Sequence, residues 1–138
     1  MASENSWAYG IETTIYSIVK SKTYSEIQKK YHNLLYTDKG QSDSPPAFPT
    51  VYIHMLAPTE QGQTLDGQTI NGLLVTVQVD VTTNTSGSDA RWVMAKVAEA
   101  FKELRFGAKP MPELTYSDKI YRSTARFNRV IGANDKLL

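Results

Sequence analysis

Residues 73–104, LLVTVQVDVTTNTSGSDARWVMAKVAEAFKEL, change hydrophobic period halfway, and that change decides the fold. Val75, Val77, Val79 and Val81 alternate with Thr76, Gln78, Asp80 and Thr82, the period of two of a strand with one buried face. From Ala90 the period becomes helical. Ala90, Val93, Met94, Val97, Ala98, Phe101 and Leu104 form one apolar stripe opposite Arg91, Lys96, Glu99, Lys102 and Glu103. Ser86 or Ser88 is placed to cap this helix, Asp89 suits its first turn, and Gly107 is expected to end it. Laying the Phe101 stripe onto the valine face gives a strand-then-helix core.

Working outward, a chain of 138 residues is expected to form one domain with a sizeable core. Without cysteine there is no disulfide, thiolate metal site or cysteine nucleophile. The N-terminus does not resemble a signal peptide, and no apolar run approaches the ~20 residues of a membrane span. The expectation is a soluble cytosolic protein with no membrane association, in which the sequon at Asn84-Thr85-Ser86 is a chance match. Net charge is +1, but no lysine or arginine lies between Lys39 and Arg91, while ten bases face five acids from Arg91 onward. Such asymmetry suits a subunit that docks a basic side on the acidic side of an identical neighbour.

Upstream, Trp7, Ile11, Ile15, Ile18 and Val19 predict a helix over about residues 6–22. Thr23 with Glu26 reads as a capping box opening a second, shorter helix through Tyr24, Ile27, Tyr31 and Leu34. Leu34–Thr37 reads alternatively as a short edge strand. Lys22, Lys29, Lys30 and Lys39 make this region basic, with no aromatic platform evidently interleaved. Residues 40–49 form a proline-bearing loop before a strand at Thr50–Leu56. His54 in that strand and His32 have no sequence-marked partner, so neither is assigned a catalytic or metal role.

Residues 57–72, APTEQGQTLDGQTING, are long and polar for a link between strands. This arm is a candidate partner contact through Glu60, Gln63, Asp66 and Gln68, plain flexibility being the other reading. Pro110 and Pro112 mark 108–115 as a connector. Lys119–Val130 alternates as a strand, with Arg122 and Arg126 on one face and Arg129 on the other. These arginines are candidate subunit contacts, since a guanidinium pairs bidentately with a carboxylate, though edge protection would also explain them. The tail after Gly132 is expected to be mobile. The element order predicts an α+β domain: a small mixed, mainly antiparallel sheet with helices packed on one face.

The C-terminal part resembles the tail terminator (tail-completion) proteins of long-tailed bacteriophages. The likeness rests on Gly87-Ser88-Asp89-Ala90, Leu104-Arg105-Phe106-Gly107, Met111-Pro112-Glu113-Leu114, the strand Lys119-Ile120-Tyr121-Arg122-Ser123-Thr124-Ala125-Arg126-Phe127, and Phe48-Pro49 before the first core strand. It covers roughly residues 35–132. The resemblance implies a homohexameric ring in the virion, at the head-proximal end of the tail tube, assembled in the host cytoplasm. That ring would stop tube polymerisation and present a head-joining surface. Its partners would be itself, the tail tube protein and a head-completion or neck protein, with DNA only in transit. It implies no cofactor and no catalytic residue. Thr76, Gln78, Asp80 and Thr82 are candidate channel-facing residues, a polar wall with acid and no base that phosphate would slide along. The alternatives are another neck or tail-tube component, or a nucleic-acid-binding module using Arg122, Arg126, Arg129 and the lysines of residues 20–39. Near-neutral net charge weighs against the last. A small enzyme is the weakest reading.

Overall fold

The computed structural model describes residues 10–38, 48–56, 59–61, 72–108, 112–117 and 119–132. Two helices, α1 (Ile11–Lys30) and α2 (Gly87–Glu103), accompany seven strands: β1 (Leu35–Thr37), β2 (Thr50–Met55), β3 (Thr59–Gln61), β4 (Gly72–Thr83), β5 (Gly107–Ala108), β6 (Glu113–Ser117) and β7 (Ile120–Gly132). The strand path is β1-β2-β4-β7-β5, with β3 beside β4 and β6 beside β7. Among the described residues only β1–β2 pairs in parallel. The expected α+β class, a mixed and mainly antiparallel sheet with helices on one face, is what the chain adopts.

The sheet is built on β4 and β7, antiparallel from Gly72↔Gly132 to Thr83↔Tyr121. Their register puts Val77 beside Phe127 and Val79 beside Ala125, so the valine face continues across β7. Val75, Val79 and Val81 are fully buried, as are Phe101 and Phe127. Phe101 lies between the helix and the valine face, as the stripe predicts.

Both ends of α2 follow from named contacts. Ser86 is the N-cap, accepting the Asp89 N–H at 3.1 Å. The C-terminus does not wait for Gly107. Arg105 takes a left-handed φ of 65°, its N–H donates to the Lys102 carbonyl, and the Phe106 N–H donates to the Phe101 carbonyl. This is a Schellman closure, and its usual apolar contact is made by Phe106 packing edge-on to Phe101 with ring centroids 5.3 Å apart.

The two expected N-terminal helices are one. Ile11, Ile15, Val19, Thr23 and Ile27 form a buried stripe at intervals of four, so the apolar face runs through the proposed break. Thr23 caps nothing. Its hydroxyl donates to the Val19 carbonyl at 2.8 Å and hydrogen-bonds the Tyr36 hydroxyl. α1 ends at Lys30, so the edge-strand reading of Leu34–Thr37 is the one adopted, as β1. The expected connector at 108–115 is also corrected. Gly107–Ala108 and Glu113–Ser117 pair with β7 along the edge that β4 leaves open, a partnership that local composition does not reveal. Trp7, Lys39, Gln63, Asp66, Gln68 and the tail after Gly132 lie outside the described residues, as does the Glu60 side chain.

Candidate functional site

Both helices pack on the valine side, which leaves the other side of the sheet for function. There the even-numbered residues of β2, β4 and β7 stand in rungs: His54–Gln78–Arg126, Tyr52–Asp80–Thr124 and Thr50–Thr82–Arg122. Strand β6 adds Glu113 beside Thr124 and Thr115 beside Arg122. The first two rungs are tied together. Thr124 donates its hydroxyl to Asp80 Oδ1 at 2.6 Å, Gln78 Nε2 donates to Asp80 Oδ2 at 3.3 Å, and Arg126 Nε donates to Gln78 Oε1 at 3.0 Å. Asp80 thus belongs to a cross-strand network of four residues, Gln78 and Asp80 on β4 and Thr124 and Arg126 on β7.

Two expectations for this face are corrected. Thr76, Gln78, Asp80 and Thr82 do share it, but Arg122 and Arg126 stand on it too, so it carries both acid and base. The two sequence-assigned sets are one surface, because the β4–β7 register sets Gln78 against Arg126 and Thr82 against Arg122. The face is also not uniformly open: Asp80 is 7% exposed and Thr82 is fully buried. Burial alternates along β4 only as far as Val79, and from Asp80 to Thr83 both faces are covered.

Arg129 stands on the opposite face from the other two arginines, as its strand parity predicts. On the helix side its Nη1 donates to the Leu104 carbonyl at 2.9 Å, a cation closing the C-terminus of α2. Arg126 is exposed, while Arg122 is half-buried and its Nε meets no acceptor. His54 stacks on Tyr52 with ring centroids 4.3 Å apart, and its Nδ1 is buried without a partner. Its rung partner is Gln78, which is neither base nor nucleophile. Among the described residues no three His, Asp or Glu side chains converge as a metal site, and no helix is long and apolar enough to cross a membrane.

On the helix layer the structure brings lysines and aromatics together, which the sequence had not suggested. Lys30 Nζ lies 4.4 Å from the Trp92 ring centroid, Lys96 Nζ 5.4 Å, and Tyr31 meets the same ring edge-on at 5.8 Å. These rings are engaged by the chain's own cations rather than offered to a base. Lys22–Glu103 and Lys96–Glu26, each at 2.9 Å, pin α1 to α2. Asp89 takes hydroxyl bonds from Thr85 at 2.5 Å and Tyr31 at 2.6 Å, which hold its carboxyl below the ordinary carboxylate range. Burial first, then Asp89, pushes the Tyr31 phenol well up. Of the five acids in the base-free stretch, Asp80 and Asp89 are committed to internal bonds.

One feature had no sequence signal at all. Between α2 and the β6–β7 edge lies an open cleft of about 370 Å³ with an apolar floor of Met94, Ala98, Leu114 and Phe127. Arg91 and Lys102 stand on its rim, and among the described residues neither makes an ion pair. A stripe residue on a helix looks the same in sequence whether it is roofed over or left at a groove.

Comparison with known proteins gives no matching family model and no matching curated protein.

Proposed function

We propose that the chain is a structural virion subunit that closes, as a six-membered ring, the head-proximal end of a phage tail tube and offers the surface to which the head joins. The observation that carries this reading is the division of labour across the sheet. One face is spent on helix packing, while the other bears a polar network of Asp80, Thr124, Gln78 and Arg126 that joins the two central strands without converging on a reactive group. A face of that kind suits protein contact.

The resemblance adds to it: its motifs include the opening of α2 at Gly87–Ala90, the closing turn at Leu104–Gly107, and β7, which carries Thr124 and Arg126 of that network. A tube grows by repeated heterologous stacking, which has no intrinsic end unless a different surface occupies the last layer. In this reading Arg122, Arg126 and Arg129 meet neighbouring subunits, the arm of residues 57–72 meets tube or neck, and neither cofactor nor catalysis takes part. DNA passes through the ring. The test is removal of the gene from the phage, with electron microscopy of lysates. Tails of uncontrolled length unattached to filled heads are expected. Tails of normal length joined to heads would overturn the proposal.

A further inference from the structure

The net charge of +1 hides a concentration of base on α1: residues 13–30 carry four lysines and one acid, Glu26. The lysines divide into two sets. Lys22 and Lys30 lean toward α2, where Lys22 pairs with Glu103 and Lys30 lies over Trp92. Lys20 and Lys29 belong to the rest of the helix surface. From Tyr16 onward, two neighbouring rows of residues four apart run along α1. Tyr16, Lys20, Tyr24 and Gln28 form one, and Ser17, Ser21, Ser25 and Lys29 form the other, exposed throughout. Each of these side chains can donate a hydrogen bond, and none is a carboxylate or an aliphatic. Glu26 is turned away to α2 and held by Lys96 at 2.9 Å. Two further carboxylates stand at the Tyr16 end, Glu12 one turn earlier and Asp38. Burial first, then Asp38, raises the Tyr16 phenol, which stays a proton donor.

All of the two rows but Gln28 and Lys29 line an open groove of about 460 Å³. In it the Lys20 Nζ lies 5.9 Å from the Tyr16 ring centroid and 5.6 Å from that of Tyr24. The ammonium is thus held between two phenols, and among the described residues no carboxylate pairs with it. Tyr24 accepts a hydrogen bond from Gln28 Nε2 at 3.3 Å, which leaves its own hydroxyl proton to give.

We propose that this face of α1 takes the phosphate backbone of duplex DNA. Lysine ammonium groups and hydroxyls bind phosphate oxygens without reading bases. From Tyr16 to Lys29 the helix runs roughly 20 Å, long enough to pass several phosphates of one strand. A lipid surface fits less well, since the exposed row offers serine and not the apolar groups that an interfacial helix buries. The rings of Tyr16 and Tyr24 stay with Lys20, so bases are not stacked and no sequence preference is expected. This contact goes beyond the ring reading and does not depend on it.

The test is a titration of a short fluorescent duplex of mixed sequence with the full chain at several salt concentrations. Log affinity should fall with log salt at a slope of about −2 or steeper. Lys20→Gln with Lys29→Gln should weaken binding by about tenfold or more at about 50 mM salt and remove most of that slope, with melting temperature little changed. Tyr24→Phe keeps ring and charge and loses the hydroxyl, so it should weaken binding about two- to fivefold at unchanged slope. Arg126→Gln, on the far side of the sheet, should bind as wild type does. No binding by wild type at about 50 mM salt overturns the inference, as does a lysine variant that binds normally or a loss confined to Arg126→Gln. Native mass measurement keeps the two proposals apart. Wild type that assembles while the lysine variant does not makes this face a subunit contact and overturns the DNA contact alone. Wild type that binds DNA through these lysines and never assembles, even with purified tail tubes, upholds the contact and overturns the ring reading.

Discussion

Phe101 of α2 and Phe127 of β7 lie face to face, ring centroids 4.4 Å apart and 3° from parallel, both fully buried. That pair joins the helix layer to the central strands, and Phe106 closes on the same ring from the helix C-terminus. Phe101→Ala should cost about 3–5 kcal/mol, the range for emptying an aromatic site in a core that relaxes only partly. Phe101→Leu should recover a good part of it. Chemical denaturation midpoints at unchanged slope are the measurement.

Asp80 stands on the outer face of the sheet but is only 7% exposed. Its two oxygens face two donors, the Thr124 hydroxyl and the Gln78 amide. Asparagine keeps one acceptor and turns an amide toward the other donor, so Asp80→Asn should cost about 1–3 kcal/mol. Thr124→Val should cost about 1 kcal/mol. The double variant should be less destabilised than the sum by at least about 0.5 kcal/mol, because both remove the same bond. Additive losses in a double-mutant cycle would break the network assignment.

Asp89 sets an acid limit. A carboxyl whose folded pKa is depressed stabilises the fold above its unfolded value and loses that contribution as pH falls through the folded value. With the carboxyl held below 3.8 by Thr85 and Tyr31, wild type should exceed Asp89→Asn in melting temperature at neutral pH. The difference should shrink as pH falls below 3.8. Thermal melts of both proteins down to about pH 2 at constant ionic strength test it. A gap independent of pH would contradict the cause given.

Tyr36 sets an alkaline one. Burial raises its phenol from 10.0 to about 12, against a smaller opposing effect from the Thr23 hydrogen bond. A phenol with a raised folded pKa contributes stability that is complete below 10.0 and is lost as pH rises toward about 12. Tyr36→Phe should therefore be less stable than wild type at neutral pH by about 1 kcal/mol, the loss of one buried hydrogen bond. It should lose less than wild type on going to high pH. Parallel melts give the comparison.

Arg126 separates two uses of the outer face. Arg126→Glu should leave the monomer folded within about 1 kcal/mol, since the residue is exposed and holds one hydrogen bond to Gln78. If Arg126 meets a neighbour's carboxylate, the variant should fail to assemble. If it meets DNA, the ring should survive and salt-sensitive DNA affinity should fall. Gel filtration and a DNA titration on the same preparation read both outcomes.

Sequence alone determined which face each central element buries. The valine alternation of β4 and the stripe of α2 hold in the structure, as do Ser86 as a cap and Phe101 as the core filler. Periodicity is a local consequence of backbone geometry, so it is legible wherever one face is buried against the same neighbour along its length. Tertiary structure alone decided which faces meet. Arg126 reaches Gln78, 48 residues earlier, only because β4 and β7 pair in one register of the many the alternation permits. That register merged two candidate surfaces into one. Long-range pairing also recruited Gly107–Ala108 and Glu113–Ser117 into the sheet, where composition reads as a connector. The helix ends follow the same division. Ser86 caps through its own side chain and is visible in sequence, whereas Arg105 tolerates a left-handed φ in a turn where Phe106 closes on Phe101. That closure belongs to the packed core and not to the residue that bends.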